Sequence, residues 1–179
     1  MPETMLNLAL DPPLVSRDGT TLASLKLREP TIGEMDEASK EQTNEANTAR
    51  LVSLVAGIPL PLARALPISV ARLCDEYLSG FMPENSMAAE DAPAPLRDIV
   101  LAAPVTVKGA APLEVLSLRE PTIGAMDMAR RQQRAFAYMA ALIAQSSGIS
   151  ILQANALPIS VGQEALNYLM GFSRPKPAG

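Results

Sequence analysis

Leu27-Arg28-Glu29-Pro30-Thr31-Ile32-Gly33 returns, letter for letter, as Leu118 to Gly124. The register runs on past the motif: Leu66-Pro67-Ile68-Ser69-Val70 recurs at the same offset as Leu157 to Val161. Between Leu8–Phe81 and Ile99–Phe172 roughly four in ten positions agree without a gap, so the chain reads as a duplication. Two copies do not make a solenoid, which needs about three stacked units to close its core. Two small similar domains, or one pseudo-twofold body, are expected instead.

The repeated heptapeptide reads as a strand-to-helix connector. Pro30 drives Glu29 towards an extended conformation, and Thr31 is placed to accept from the first free N–H groups of a helix. Thr31 with Glu34 makes a capping-box pattern; the second copy has Ala125 where the box needs Glu, so its cap rests on Thr122 alone. The connector residues are thus Arg28, Glu29, Pro30, Thr31 and Gly33, with Arg119, Glu120, Pro121, Thr122 and Gly124.

Upstream, Leu6 to Leu10 and Leu22 to Leu27 alternate apolar and polar residues around Arg17-Asp18-Gly19-Thr20, which predicts a hairpin. The second copy keeps it as Ile99 to Leu101 and Leu113 to Leu118 around Lys108-Gly109, with Pro112 shortening the return strand. An isolated hairpin is marginal in water, so each must lie on helices or pair with another sheet. Downstream, no proline interrupts 32–56 or 123–147, and Gly57 and Gly148 suit helix C-termini. Each stretch is expected to be one helix of about 24 residues, roughly 36 Å long. Ile32, Met35, Ala38, Ala46, Ala49 and Val52 share one face of the first; Ile123, Met126, Ala129, Ala137, Ala140 and Ile143 repeat it in the second. A short helical turn follows (Pro59 to Ala65 in the first copy), then LPISV starts another helix with Ser69 or Ser160 as its expected cap. Gly80-Phe81 and Gly171-Phe172 close it. The expected class is α+β, mainly α: two similar units, each a β-hairpin followed by a long helix and one or two shorter helices. The division is 1–81 for the first unit, 82–98 for a Pro- and Ala-rich acidic linker, 99–172 for the second unit and 173–179 for a flexible tail.

Composition narrows the function classes. The 179 residues include three Phe, three Tyr and no Trp, so aliphatic residues and nine Met must fill the core. Residues 1–98 carry 8 Lys and Arg against 15 Asp and Glu, and residues 99–179 carry 7 against 4, so the halves are −7 and +3. Neither has the clustered basic character of a nucleic-acid-binding surface. The lone Cys74 is matched by Ala165, which reads as a packing position rather than a nucleophile. No run reaches the roughly 20 apolar residues of a membrane span, and no basic-then-apolar leader opens the chain, so a soluble cytoplasmic protein is expected.

Histidine is absent, which removes the commonest general base and metal ligand. One cysteine excludes a thiolate zinc cluster within one chain, and no glycine-rich phosphate loop carries the Lys-Ser/Thr signature. Glu29 with Glu120 and Asp36 with Asp127 are the acids that recur, each near a helix start. The expectation is no enzyme, no cofactor and no metal. Arg28 and Arg119 suit either an ion pair within the protein or a bidentate grip on a partner carboxylate.

The outer helix faces differ in sign: Glu34, Glu37, Glu41 and Glu45 against Arg130, Arg131 and Arg134. Opposite signs suit docking on each other or on a shared partner. Phe136, Tyr138 and Met139 stand where the first copy has Glu45, Asn47 and Thr48, so they are candidate partner anchors, with ordinary packing as the competing reading. The candidate partner-binding set is Phe136, Tyr138, Met139, Arg130, Arg131, Arg134, Glu37 and Glu41.

The segments Leu25 to Gly33 and Leu116 to Gly124, with the endings Tyr77 to Phe81 and Tyr168 to Phe172, resemble the tail assembly chaperones of long-tailed bacteriophages and prophages, the Mu-like group in particular. Members look like one such unit, whereas this chain joins two. The resemblance implies binding of the tape measure protein, and of other tail proteins, in the host cytoplasm while the tail tube assembles, with no reaction catalysed. It implies no nucleic-acid or membrane partner, and either a monomeric pseudo-dimer or a homo-oligomer. The competing class is a structural tail component or adaptor retained in the virion or tail-like particle.

Overall fold

The computed structural model describes residues 5–15, 19, 21–82 and 93–173. It divides into two units: the first comprises 1–30 and 34–83, the second 84–179 together with Thr31–Gly33. The predicted linker core and tail, 83–92 and 174–179, lie outside the described residues, as does the first hairpin turn apart from Gly19.

The first unit opens with β1 (Met5–Val15) and β2 (Thr21–Arg28), an antiparallel pair in the register Leu6↔Leu27 and Leu8↔Leu25. The second opens with β3 (Leu96–Val105) and β4 (Leu113–Arg119), paired Arg97↔Leu118 and Ile99↔Leu116. Strand β3 therefore begins inside the segment expected to be linker. In both hairpins the register slips at the prolines, between Ala9 and Leu14 and between Val100 and Val105, because proline has no N–H to give the ladder. Each sheet has two strands and gains its stability from helices. Leu25 and Leu27, like Leu116 and Leu118, are at most 1% exposed and face the unit's central helix.

The single long helix expected after each connector is two helices. In the first unit these are α1 (Ile32–Ala38) and α2 (Asn44–Ala56), followed by α3 (Leu60–Arg64) and α4 (Ile68–Ser79). In the second they are α5 (Ile123–Arg130) and α6 (Ala135–Ser147), followed by α7 (Ile151–Ala156) and α8 (Ile159–Gly171). The break falls where apolar residues run out: 39–45 is Ser-Lys-Glu-Gln-Thr-Asn-Glu and 130–134 is Arg-Arg-Gln-Gln-Arg. A helix through either run would have no face to bury. Local hydrogen bonds complete the break in the first unit: Ser39 Oγ donates to the Asp36 carbonyl at 2.7 Å, and Thr43 caps α2 by accepting from the Ala46 N–H at 3.2 Å. Gly57 and Gly148 then end α2 and α6 in the left-handed region, at φ 66° and 74°, as a glycine C-cap should.

Thr122 caps α5, accepting from the Ala125 N–H at 3.1 Å. Ser69 and Ser160 do not cap: Pro67 and Pro158 are the cap residues of α4 and α8, neither with a side-chain cap bond, which puts the serines inside the first turn. A full capping box occurs instead at Ser150 and Gln153 of α7, and Gln153 Nε2 also donates to the Ala111 carbonyl, tying α7 to the β3–β4 loop. Tyr77 and Phe81 meet edge to face with centroids 5.1 Å apart, as Tyr168 and Phe172 do at 5.3 Å. Each tyrosine hydroxyl donates to a carbonyl, Tyr77 to Leu27 and Tyr168 to Ala94, so the Tyr-Leu-x-Gly-Phe ending anchors the last helix beside its hairpin.

Because Leu118 is completely buried, Leu118→Ala should cost about 2–5 kcal/mol in urea unfolding, whereas Val100→Ala, on the exposed face of the same hairpin, should stay within about 0.5 kcal/mol.

Candidate functional site

The charged side chains expected to meet a partner are largely engaged within their own units. Arg28 grips both carboxylate oxygens of Glu34, at 2.9 and 2.6 Å, across the turn from β2 into α1. That bond to Glu34, outweighing partial burial, raises the guanidinium pKa further. Ala125 stands at the matching place in the second unit, so Arg119 has no such carboxylate. Glu37 is bonded by Lys40 and by Arg50, the latter at 2.9 Å, and those bonds hold its carboxyl below the usual range. Glu41 lies 3.7 Å from Arg64. In the second unit Arg131 bonds Asp127 at 2.7 Å, Arg134 is the cap residue of α6, and Arg130 is exposed. Exposed pairs of this kind contribute about 0–1 kcal/mol each, so they orient the helices more than they hold them.

The proposed anchors divide. Met139 is 3% exposed and belongs to the packing of the second unit, its sulfur facing Gly162. Phe136 and Tyr138 are half-buried, with the Tyr138 hydroxyl 3.5 Å from the sulfur of Met170. Sequence reasoning missed the residues that do stand out: Ile68, Leu73, Val100, Val115, Ile123, Met128, Ile151 and Leu152 are each at least 41% exposed. Of these, Ile123 lies on a face expected to be core, and Ile32, its counterpart in the repeat, is buried.

One concavity is built into the first unit, between α2, α3 and α4. It has a volume of about 470 Å³ and an apolar floor of Ala49, Val52, Ala63, Leu66 and Ala71, with Ile68 at its rim. The Thr48 hydroxyl donates to Asp75 at 3.3 Å along its wall. Among the described residues no group of three or more Cys, Asp or Glu could hold a metal ion, and no helix is long and apolar enough to cross a membrane.

Residues 7–83, covering the first hairpin and all four helices after it, match the family described as phage tail assembly chaperone proteins, E, or 41 or 14. The match spans the first unit, 77 of the 179 residues, and shows what that unit is similar to. No curated protein and no solved structure matches the chain. The matched span contains the connector and the Tyr-Leu-x-Gly-Phe ending, both of which the second unit repeats in sequence, and the α2–α4 concavity, most of whose lining it does not repeat.

Cys74 is 0% exposed on α4, and burial pushes its thiol up to about 11. An acid kept neutral by burial adds stability in full below its ordinary value of 9.0 and loses it as pH rises towards 11. Stability should therefore decline across that window, and less so in Cys74→Ala. Ellman's reagent at pH 8 should label Cys74 at the rate of unfolding; immediate labelling of folded protein would contradict its burial.

Proposed function

We propose that the chain binds the tape measure protein and keeps it soluble while the tail tube assembles, acting by binding alone and without catalysing a reaction. The match of residues 7–83 to the tail assembly chaperone family carries this reading. Exposed aliphatic side chains support it. Val100 and Val115 are direct cross-strand partners on the outer face of β3–β4, 78% and 41% exposed, and Ile151 and Leu152 on α7 are 47% and 61% exposed. A chaperone that must later let go is served by scattered aliphatic contacts of this kind, each worth little, engaged on two linked units at once. Linkage raises occupancy while both engage and permits stepwise loss as the tube displaces them. The complete absence of histidine fits a binding role.

Co-expression with the tape measure protein encoded nearby tests this directly, scored by soluble client and by co-purification at two salt concentrations. The client should be soluble only with this chain and should co-purify with it. The double variant Val100→Thr/Val115→Thr, which keeps β-forming residues on an exposed face, should reduce soluble client several-fold with an unchanged circular dichroism spectrum. A client that stays insoluble and unbound beside the folded wild-type chain would refute the reading, and recovery of the chain from purified particles would favour a retained tail component.

A further inference from the structure

Helix α5 holds to its own unit by two alanines. Ala125 and Ala129 are its buried residues, whereas Ile123 on the far side is 91% exposed. A lone exposed aliphatic residue is ordinary, but Ile123 does not stand alone. With Met126 one turn on, Pro121 before the helix and Phe172 after α8, it lines a hollow of about 390 Å³ in the second unit. Those three neighbours are half-buried. Ile123, Met126, Asp127 and Arg130 follow the i, i+3, i+4, i+7 spacing, so they form one stripe along the helix.

The charges beside this stripe are ordered along it. Glu120 precedes the cap residue Thr122, and Arg130 is the last residue of α5, so an acid stands at one end and a base at the other. Both line the hollow, and neither makes an ion pair among the described residues. Asp127, between them, is taken by Arg131 at 2.7 Å. Such a stripe is complementary to itself when reversed. Gly124 adds room on the same exposed turn: where its Cβ would stand, only the Thr122 hydroxyl comes within 4 Å, at 3.8 Å.

We propose that α5 is a contact between two copies of the chain, the helices lying antiparallel about a twofold axis. That arrangement sets Glu120 of each copy beside Arg130 of the other and opposes the two helix dipoles. In the same register Met126 of one copy lies over Gly124 of the other, where a missing Cβ lets the backbones approach. The two Ile123 side chains then leave water together. The stripe meets its own equivalent, so the contact is isologous and closes at two chains. Its area is small, so the dimer is weak, about micromolar or weaker, and its charged part is screened by salt. The inference rests on the local geometry of α5 and stands apart from the identity of any client.

Sedimentation velocity on the full chain tests it, over concentrations from about 1 to about 100 μM. Wild type should pass from one chain to two and go no further. Ile123→Asp, at an exposed position, should stay monomeric over that range with an unchanged circular dichroism spectrum. Glu120→Arg and Arg130→Glu should each weaken self-association about tenfold at low salt, because each sets like charges against each other. Mixed in equal amounts, these two variants face Arg with Glu at both ends and should pair more tightly than either does alone. A wild-type chain that stays monomeric throughout would overturn the proposal, and loss of client co-purification on Ile123→Asp in that case would assign the stripe to the client instead. An Ile123→Asp chain that dimerises like wild type, growth beyond two chains, or a mixture no tighter than its components would each overturn it as well.

Discussion

Everything in this chain depends on two leucines per hairpin being taken out of water. A two-stranded sheet has no stability of its own, and full burial of a leucine is worth about 1.5–3 kcal/mol, against about 0–1 for each exposed ion pair. Leu25 and Leu27 in the first unit, and Leu116 and Leu118 in the second, commit each hairpin to its helix. With the strand fixed in that way, the chain must turn sharply within the next few residues to lay its first helices beside it. The Glu-Pro-Thr segment does this: proline ends the strand, and in the second unit threonine caps the helix that starts there. The repeated heptapeptide is therefore a consequence of the buried leucines rather than an independent signature.

The same constraint leaves the remaining surface free to diverge. Where the first unit spends acids on Arg28, Lys40, Arg50 and Arg64, the second carries exposed arginines and aliphatic side chains on β3, β4 and α7. The tail assembly chaperone match covers the first unit, and the second repeats its connector and its ending on the same order of elements.

Much of the architecture was legible because it follows from local rules that both copies obey. The hairpins, the glycine C-caps at Gly57 and Gly148, and the closing helices all lie where alternation, proline and glycine put them. Reading 32–56 and 123–147 as unbroken helices failed because absence of proline was taken as continuity, although Ser39 to Glu45 and Arg130 to Arg134 offer nothing apolar to bury. Ser69 and Ser160 failed as caps because a proline in front of them already ends the extended segment. The surface was least legible. Met139 is buried and Ile123 exposed, and neither fate is encoded within a few residues of its position, since Ile32 has the same neighbours as Ile123 and the opposite environment.

That contrast between two identical heptapeptides is the central claim, and native-state hydrogen exchange at two amides tests it most directly. In dilute protein the Ile32 N–H, bonded to Leu157, should exchange slowly, and the Ile123 N–H should exchange at nearly the rate of an open helix start. Equal protection of the two amides would contradict the account.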